Sequence, residues 1–139
     1  MRHETELQVR YAETDQMGVV YHAHYLVWCE VGRTDFIRAL GMPYAEMERQ
    51  GIRLAVAEAT VRYHAAARYD DRIVVETRLV EVRSRMVTFA YRIVRRRDGD
   101  DRELLVSARI DLVCTGRDGR PASLPTAWRD LLNGGVSTD

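Results

Sequence analysis

Lysine is absent from this sequence, and neither sign of charge is in excess. All 21 basic residues are arginine, and 21 aspartate and glutamate residues balance them to a formal net charge of zero. Proteins that bind nucleic acid or anionic membrane surfaces usually carry an excess of basic residues. The balance therefore argues against a nucleic-acid partner, and we attribute the arginine bias mainly to genomic composition.

Cysteine and long apolar runs are scarce as well. Cys29 and Cys114 are the only cysteines, and both stand among apolar neighbours without a CxxC pair, which predicts buried, reduced thiols. No apolar run approaches the length of a transmembrane helix, and residues 1–10 lack the apolar segment of a signal peptide. We therefore expect a cytoplasmic protein with no membrane insertion.

Several catalytic motifs are missing too. The sequence has no GxSxG elbow, Walker loop, GxGxxG or HExxH motif, and no cofactor is expected. The two serines in the most apolar surroundings, Ser84 and Ser107, have no histidine nearby in the sequence. Serine-hydrolase chemistry is therefore not expected.

The residues that are present predict a single domain over residues 1–139, a length that can bury a core of ordinary size. No internal repeat and no linker divides the chain. Leu7, Val9 and Tyr11 alternate with polar residues. This period of two predicts a first strand from about residue 5 to 11.

A long helix is predicted next. Residues 22–40 place their apolar side chains on one half of a helical wheel, which indicates a largely embedded helix. A short second helix is expected over roughly residues 43–50, with a proline at its first position. Arg33 is the one charged residue within the apolar arc, and we expect it to neutralise a buried carboxylate, Glu30 or Glu58.

The rest of the chain is rich in β-branched and aromatic residues and predicts four strands. They span residues 52–64, 72–83, 86–97 and 103–115. Asp98 and Gly99 form a hairpin-turn signal between the last two strands, and Asp118 and Gly119 form a second turn signal. A last helical turn is expected near Pro125.

This order of elements predicts an α+β fold, in which a curved antiparallel sheet of about five strands wraps around one long helix. One helix can cover only one face of the sheet. The free edges and the remaining apolar surface favour association with further copies of the chain. We therefore expect a homo-oligomer.

The stretch YAETDQMGVVYHAHY, residues 11–25, holds the candidate site residues. Asp15 lies about seven residues before the predicted helix, which is too early for a simple N-cap. Gly18 between them lets the backbone turn sharply or approach a ligand closely. Asp15 is therefore either a structural residue of the loop or a catalytic carboxylate.

His22 and His24 raise the alternative of a metal site. Residues two apart on a helix point in different directions, and no third ligand stands at a familiar spacing, so no metal is expected. If His22 lies in the first helical turn, its backbone N–H is one of the donors that the helix leaves unpaired. Such donors can stabilise an oxyanion on a polarised carbonyl. The imidazole either orients water or substrate or is a solvated surface group.

Taken together, these residues resemble the 4-hydroxybenzoyl-CoA thioesterase-like group of the hotdog superfamily. That group includes the acyl-CoA thioesterases associated with the bacterial Tol–Pal system. The matching positions are Arg10, Tyr11, Thr14, Asp15, residues 18–22, Tyr25, Glu30, Arg33 and residues 61–64 and 69–71. The likeness covers about residues 5 to 130. Asp15 and His22 are seven residues apart, which does not match the Asp-x4-His motif of the hydratase branch.

The resemblance implies a hotdog fold and assigns roles to several residues. Asp15 falls on the family's catalytic carboxylate, and His22 falls where a helix-start N–H polarises the thioester carbonyl. The family forms dimers, often dimers of dimers, with active sites at the dimer interface, so a homotetramer is expected. Contacts to the acyl part of the substrate are expected from Gly18, Val19, Tyr21 and Tyr25.

The resemblance also implies how coenzyme A is held. Family members bind its phosphates through basic residues of the turn between the middle strands and of a C-terminal segment. In this sequence the matching positions are Arg83, Ser84, Arg85, Arg117 and Arg120.

The implied function is acyl-CoA thioester hydrolysis, in which Asp15 acts as general base for water or as nucleophile. A second hypothesis is a hotdog protein that binds acyl-CoA or acyl carrier protein without turnover. The acyl group stays open, because Met17, Tyr21 and Tyr25 are compatible with short, branched or aromatic groups.

Overall fold

Five strands form a single antiparallel sheet in the computed structural model, which describes residues 1–42 and 44–137. The strand order is β1-β3-β4-β5-β2. The elements are β1 (Arg2–Gln8), α1 (His24–Ala39), α2 (Tyr44–Arg49), β2 (Arg53–Tyr63), β3 (Arg72–Val82), β4 (Met86–Arg96), β5 (Arg102–Thr115) and α3 (Thr126–Asn133). The predicted α+β fold is therefore confirmed.

Helix α1 packs mainly against β1 and β3. Its buried face includes Trp28, Gly32 and Phe36, and the Phe36 ring meets Phe89 of β4 edge-on at 5.6 Å between centroids. A Cβ added at Gly32 would lie 2.5 Å from Thr77 Oγ1, so the helix approaches β3 as closely as a glycine allows. The apolar face that the sequence period predicts for α1 thus forms one side of the core.

Strand β2 forms one edge of the sheet, and α1 leaves it largely uncovered. Residues 55–60 are all exposed, and Val56 retains 55% of its accessible surface. Only β5 pairs with β2 within the described residues, so one side of the β2 backbone offers unpaired N–H and C=O groups. An exposed strand edge of this kind, even with the bulge between Val56 and Glu58, can pair with another strand.

The four predicted strands after the helices are confirmed to within one residue at each end. Both predicted Asp–Gly turns are confirmed as well, since Gly99 and Gly119 adopt positive φ angles of 73° and 77°. The predicted helical turn near Pro125 is the two-turn helix α3. The second predicted helix is confirmed as α2, although Pro43, its predicted first residue, lies outside the described residues.

Two elements were predicted with wrong boundaries. The first strand spans Arg2–Gln8, three residues earlier at each end than predicted. Val9 N–H still donates to the Asp71 carbonyl at 3.0 Å in the register of the strand pair, and the chain then enters a 3-10 turn. Tyr11 lies beyond that point in a single 3-10 turn and is 77% exposed. Helix α1 begins at His24, two residues later than predicted.

The prediction for Arg33 was also wrong. Its guanidinium donates to the Tyr91 hydroxyl at 3.4 Å, and both Glu30 and Glu58 are exposed. Burial and the position of α1 over β4 bring the phenol of Tyr91 within reach instead. No helix in the described part of the chain combines the length and the apolar character needed to cross a bilayer.

Candidate active site

The segment around Asp15 is a small hairpin that precedes α1. Thr14 and Val20 pair as antiparallel neighbours, and Asp15 N–H donates to the Val19 carbonyl at 2.8 Å. Gly18 N–H returns to the Asp15 carbonyl at 3.0 Å, with Gly18 at a φ of 78°. Because L-residues with a side chain are strained at such an angle, glycine is what permits the tight turn.

The Asp15 carboxylate uses its two oxygens differently. Oδ1 accepts the Met17 backbone N–H at 2.8 Å, as in an Asx turn. Oδ2 has no hydrogen-bond partner in residues 1–42 and 44–137, and the residue is half-buried. Asp15 is therefore a structural turn residue through one oxygen and leaves the other able to meet a ligand.

His22 lies in the turn that leads into α1, not in the first helical turn as predicted. His24 N–H donates to the Tyr21 carbonyl at 2.9 Å, which makes His22 and Ala23 the two middle residues of that turn. Neither of their amides reaches a backbone carbonyl of the described chain. Tyr63 of β2 donates its hydroxyl to the His22 carbonyl at 3.1 Å and so holds the turn against the sheet.

The imidazoles of His22 and His24 both lie against the ring of Tyr21. The ring centroids are 4.4 Å from Tyr21 to His22 and 6.2 Å from Tyr21 to His24. Tyr21 keeps 47% of its surface exposed, and His22 is exposed too. These three rings form an aromatic rim beside the Asp15 hairpin.

The other residues expected to contact substrate adjoin the same hairpin. Val19 pairs with Arg68. Tyr25 is 2% exposed, its hydroxyl accepts Ala67 N–H at 3.0 Å, and burial raises the pKa of the phenol. The Tyr25 hydroxyl is thus held by the backbone, so a role in substrate binding rests on its ring, which meets Tyr63 at 5.6 Å.

Glu13 is a residue of this region that the sequence reasoning missed. It is 4% exposed, and its carboxylate accepts hydrogen bonds from Arg10 N–H and Trp28 Nε1–H, both at 2.8 Å. The signal in the sequence is its position three residues after Arg10 at the start of a helical turn, the spacing of a capping box. Its side chain joins the Asp15 hairpin to α1.

The candidate CoA-binding residues come together from two segments. Cys114 N–H donates to the Arg85 carbonyl and Leu124 N–H to the Ser84 carbonyl, each at 2.8 Å. Arg83 pairs with Glu81 at 2.9 Å. Arg117 donates to the Arg49 carbonyl at 3.0 Å, and the backbone N–H of Arg120 donates to Asp118 Oδ1, also at 3.0 Å.

These segments do not meet Asp15 within one chain. The Asp15 hairpin adjoins the start of β3, where Val9 N–H bonds Asp71 and Val19 pairs with Arg68, whereas residues 83–85 follow the end of β3. An 11-residue strand spans about 33 Å at about 3.3 Å per residue. One subunit alone therefore does not bring the predicted catalytic and CoA-binding residues into a single site.

Ser107 does have a histidine neighbour, contrary to the sequence reasoning. His64 Nε2 lies 3.0 Å from Ser107 Oγ, although the two residues are 43 positions apart. Within the described chain no carboxylate bonds His64, so the pair lacks the acid that orients the base in a catalytic triad. Ser107 lines a groove of about 560 Å³ with Arg62, Arg92 and Arg109, and Asp15 is not part of that groove.

Comparison with known proteins identifies the family. A family model described as the thioesterase-like superfamily matches residues 9–132. The chain belongs to this superfamily. Within it, the chain is similar to a putative acyl-CoA thioesterase, YneP, of Bacillus subtilis, with 36% identity over 126 residues, 90% of this chain and 88% of the relative. It is also similar to the acyl-CoA thioester hydrolase YbgC of Escherichia coli, with 32% identity over 86% of this chain and 87% of the relative.

Solved structures of the superfamily agree with the fold. A DHNA-CoA thioesterase from Staphylococcus aureus superposes with a TM-score of 0.89 at 33% identity, covering 96% of this chain and 89% of that one. The hotdog fold and the class of thioester hydrolase, both expected from the sequence, are thereby confirmed.

Proposed function

We propose that this thioesterase-superfamily protein hydrolyses an acyl-CoA to a carboxylic acid and free coenzyme A, with Asp15 as its catalytic carboxylate. The observation that carries the proposal is the local arrangement of Asp15. One of its oxygens is held by Met17 N–H and the other is free, and the unpaired amides of His22 and Ala23 follow in the same segment. The relatives named acyl-CoA thioesterases support the substrate class.

The reaction has two routes that use the free Asp15 oxygen. As general base, Asp15 takes a proton from water while the water oxygen bonds the thioester carbon; the C–S bond then breaks, and the CoA thiolate gains a proton. As nucleophile, the Asp15 oxygen bonds the carbonyl carbon itself and expels the thiolate, and water then hydrolyses the mixed anhydride. Both routes require an ionised carboxylate.

The amides of His22 and Ala23 are proposed to stabilise the oxyanion that develops on the thioester oxygen. They lie in a turn fixed by the Tyr63 hydroxyl, which bonds the His22 carbonyl at 3.1 Å. Preorganised donors of this kind act without reorganisation during the reaction, and removing one typically costs about 2.7–4 kcal/mol of barrier. In this role the His22 imidazole is dispensable, while its backbone is not.

The acyl chain is proposed to lie beside the hairpin. The backbone of Gly18 and Val19 lies close to Asp15, and the Tyr21 ring is half-exposed. The buried Tyr25 ring is proposed to close the inner end of the acyl site. An opening bounded by aromatic rings suits short, branched or aromatic acyl groups. An assay over several acyl-CoA substrates measures which size of acyl group the site accepts.

A dimer through the β2 edge is proposed to complete the site. A two-fold axis that pairs two β2 strands antiparallel reverses the strand direction between the copies. The turn at residues 83–85 of one subunit then comes to the end of the joint sheet where Asp15 of the other subunit lies. The CoA phosphates would be held by Arg83, Ser84, Arg85, Arg117 and Arg120 of the partner subunit. Two such dimers would form the expected tetramer, in the cytoplasm.

A thiol-release assay tests this function. The protein is offered a panel of acyl-CoA thioesters from short aliphatic to aromatic, and the same acyl groups on acyl carrier protein. We expect enzyme-dependent release of free thiol from at least one acyl-CoA. Tight binding of acyl-CoA by calorimetry without any release would instead support the second hypothesis, a binding protein. Release of thiol from acylated acyl carrier protein, but from no acyl-CoA, would show that acyl carrier protein is the thiol carrier of the substrate.

A further inference from the structure

Glu13 is an ionisable group buried beside the proposed catalytic hairpin. Its side chain is 5% exposed, yet both carboxylate oxygens are occupied: Oε2 by the indole N–H of Trp28 and Oε1 by the backbone N–H of Arg10. Trp28 is itself 2% exposed. A buried carboxylate costs several kcal/mol unless it is fully hydrogen-bonded, and these donors offset that cost.

The backbone of Glu13 makes a further connection. Its carbonyl accepts Tyr21 N–H at 2.9 Å, and the next residue, Thr14, pairs with Val20. Residue 13 is therefore linked through its main chain to the residue that directly precedes His22. Through its side chain it is linked to α1 at Trp28.

No other side chain of residues 13–19 bonds a helix within the described structure. The Thr14 hydroxyl donates to the nearby Tyr11 carbonyl, and the Asp15 carboxylate accepts Met17 N–H. The remaining ties of the hairpin run to the segment before β3, where Val20 N–H bonds the Ala67 carbonyl at 2.9 Å. Within the described residues, Glu13 is thus the one side chain of residues 13–19 that bonds α1 directly, whereas Tyr25 of α1 reaches the hairpin only through Ala67.

We infer that Glu13 is a positioning residue: through Trp28 it fixes the Asp15 carboxylate relative to the His22 and Ala23 amides. The inference rests on the proposed function, in which Asp15 acts on a carbonyl held by those amides. Catalysis of this kind requires both groups within about 0.5 Å of their productive positions, and a misplacement of about 1 Å can cost about 100-fold. Glu13 lies two positions from Asp15 and is bonded to α1 through Trp28, so a change at Glu13 can displace the Asp15 carboxylate by such a distance.

A double-mutant cycle between Glu13 and Trp28 tests the inference. In Glu13→Gln an amide NH₂ must face one of the two N–H donors, and in Trp28→Phe the indole donor is removed. We expect each variant to lower kcat about 10- to 100-fold while KM changes less than about threefold. Because both act through one contact, the double variant should be no slower than the slower single variant.

A matched control separates positioning from general destabilisation. Thr88 of β4 is 3% exposed, and its hydroxyl donates to Asp111 Oδ1 at 2.7 Å. Thr88→Val therefore also removes a hydrogen bond of a buried side chain. This variant is expected to lose stability but to keep kcat within about twofold. Equal losses of kcat in Thr88→Val and Glu13→Gln, at similar melting temperatures, would overturn the inference. So would independent, multiplying effects of Glu13→Gln and Trp28→Phe.

A spectroscopic measurement covers the case in which Glu13→Gln does not fold. The chain has two tryptophans, so the wild-type protein gives two indole ¹⁵N–¹H signals, and Trp128→Phe assigns them. We expect the Trp28 indole proton to be shifted downfield and protected from exchange. Rapid exchange of that proton would overturn the inference, as would a wild-type kcat in Trp28→Phe. Wild-type turnover by Asp15→Asn would instead overturn the proposed function itself.

Discussion

The backbone N–H of Met17 donates a hydrogen bond to Asp15 Oδ1 at 2.8 Å. This contact gives the two carboxylate oxygens different roles. The held oxygen closes the turn, and the other oxygen has no hydrogen-bond partner in residues 1–42 and 44–137. From the sequence, a structural and a catalytic role for Asp15 stood as alternatives. In the fold the structural role occupies only one oxygen and leaves the other without a partner among the described residues, so the two roles are compatible.

Replacing Gly32 by alanine is expected to destabilise the fold. The new Cβ would lie 2.5 Å from Thr77 Oγ1 and 2.8 Å from Val75 Cγ1, so either these buried side chains or α1 itself must shift. Overpacking typically costs about 1–3 kcal/mol, which exceeds the roughly 1 kcal/mol that alanine gains over glycine in a helix. Urea unfolding measures the difference in free energy.

The control for this prediction is Gly134→Ala at the end of α3. There the nearest atom to an added Cβ, the Leu131 carbonyl oxygen, is 3.4 Å away, and the backbone φ is −64°. We expect its free energy of unfolding to change by less than about 0.5 kcal/mol. Equal stability of the Gly32 and Gly134 variants would contradict the close helix-to-sheet contact.

The stability of the protein is expected to fall at acidic pH, in part through Glu13. Burial raises the pKa of this carboxyl, but the hydrogen bonds from Arg10 N–H and Trp28 Nε1–H outweigh it and hold the pKa below the ordinary 4.5. A lowered folded-state pKa stabilises the fold above about pH 4.5, and this contribution is lost as the pH falls through the lower value.

Urea unfolding of wild type and Glu13→Gln at neutral pH and at several acidic values measures this contribution. The difference in unfolding free energy between the two proteins should be largest at neutral pH and should shrink below about pH 4.5. A difference that stays constant or grows on acidification would show that the Glu13 carboxylate is not stabilised in its ionised form.

Both cysteines are expected to be unreactive in the folded protein. Burial raises the pKa of Cys29 to about 12 and raises that of Cys114 as well, and their exposed fractions are 1% and 0%. Because the thiolate is the reactive form, a disulfide reagent at neutral pH should detect neither thiol until the chain is unfolded in guanidinium. Two fast-reacting thiols in the native protein would contradict the burial and would also disturb the thiol-release assay.

Disrupting the β2 edge is expected to separate the proposed dimer. Val56 is 55% exposed on that edge, so Val56→Glu places a charge where two strands would pair without disturbing the core. Light scattering should show a change from an oligomer toward the 16.0 kDa monomer, with a parallel loss of activity. Leu131→Glu, at a 37% exposed position on α3, is the matched control. An unchanged mass in Val56→Glu would exclude this edge as the interface.

The regular elements were predictable because their signals are local. Runs of β-branched and aromatic residues, with Asp–Gly turns on either side of β5, placed four strands to within one residue. The alternation that includes Tyr11, however, continues into the 3-10 turn at Tyr11–Glu13, so the first strand was predicted too late in the chain. The helical apolar period likewise extends into the turn between Tyr21 and His24, which shifted the predicted helix start.

Contacts between distant residues could not be predicted from such signals. The bond between Trp28 and Glu13, the proximity of His64 to Ser107, and the hydrogen bond from Arg33 to Tyr91 all follow from how α1 and the strands pack. The motif that carries the family resemblance predicts a role for Asp15 and a helix start at His22, whereas His22 lies in the turn before α1. It does not reveal that residues 83–85 lie at the opposite end of β3 from the Asp15 hairpin, the observation on which the proposed second subunit rests.

The most direct test of the central claim is the turnover of Asp15→Asn at saturating acyl-CoA, beside Asp98→Asn in the exposed β4–β5 turn as control. Asparagine keeps an Oδ1 that can accept Met17 N–H, so the hairpin, the melting temperature and substrate binding should be retained. We predict that kcat falls by at least about 100-fold in Asp15→Asn and is unchanged in Asp98→Asn. A folded Asp15→Asn variant that hydrolyses acyl-CoA at the wild-type rate would contradict the assignment of Asp15 as the catalytic carboxylate.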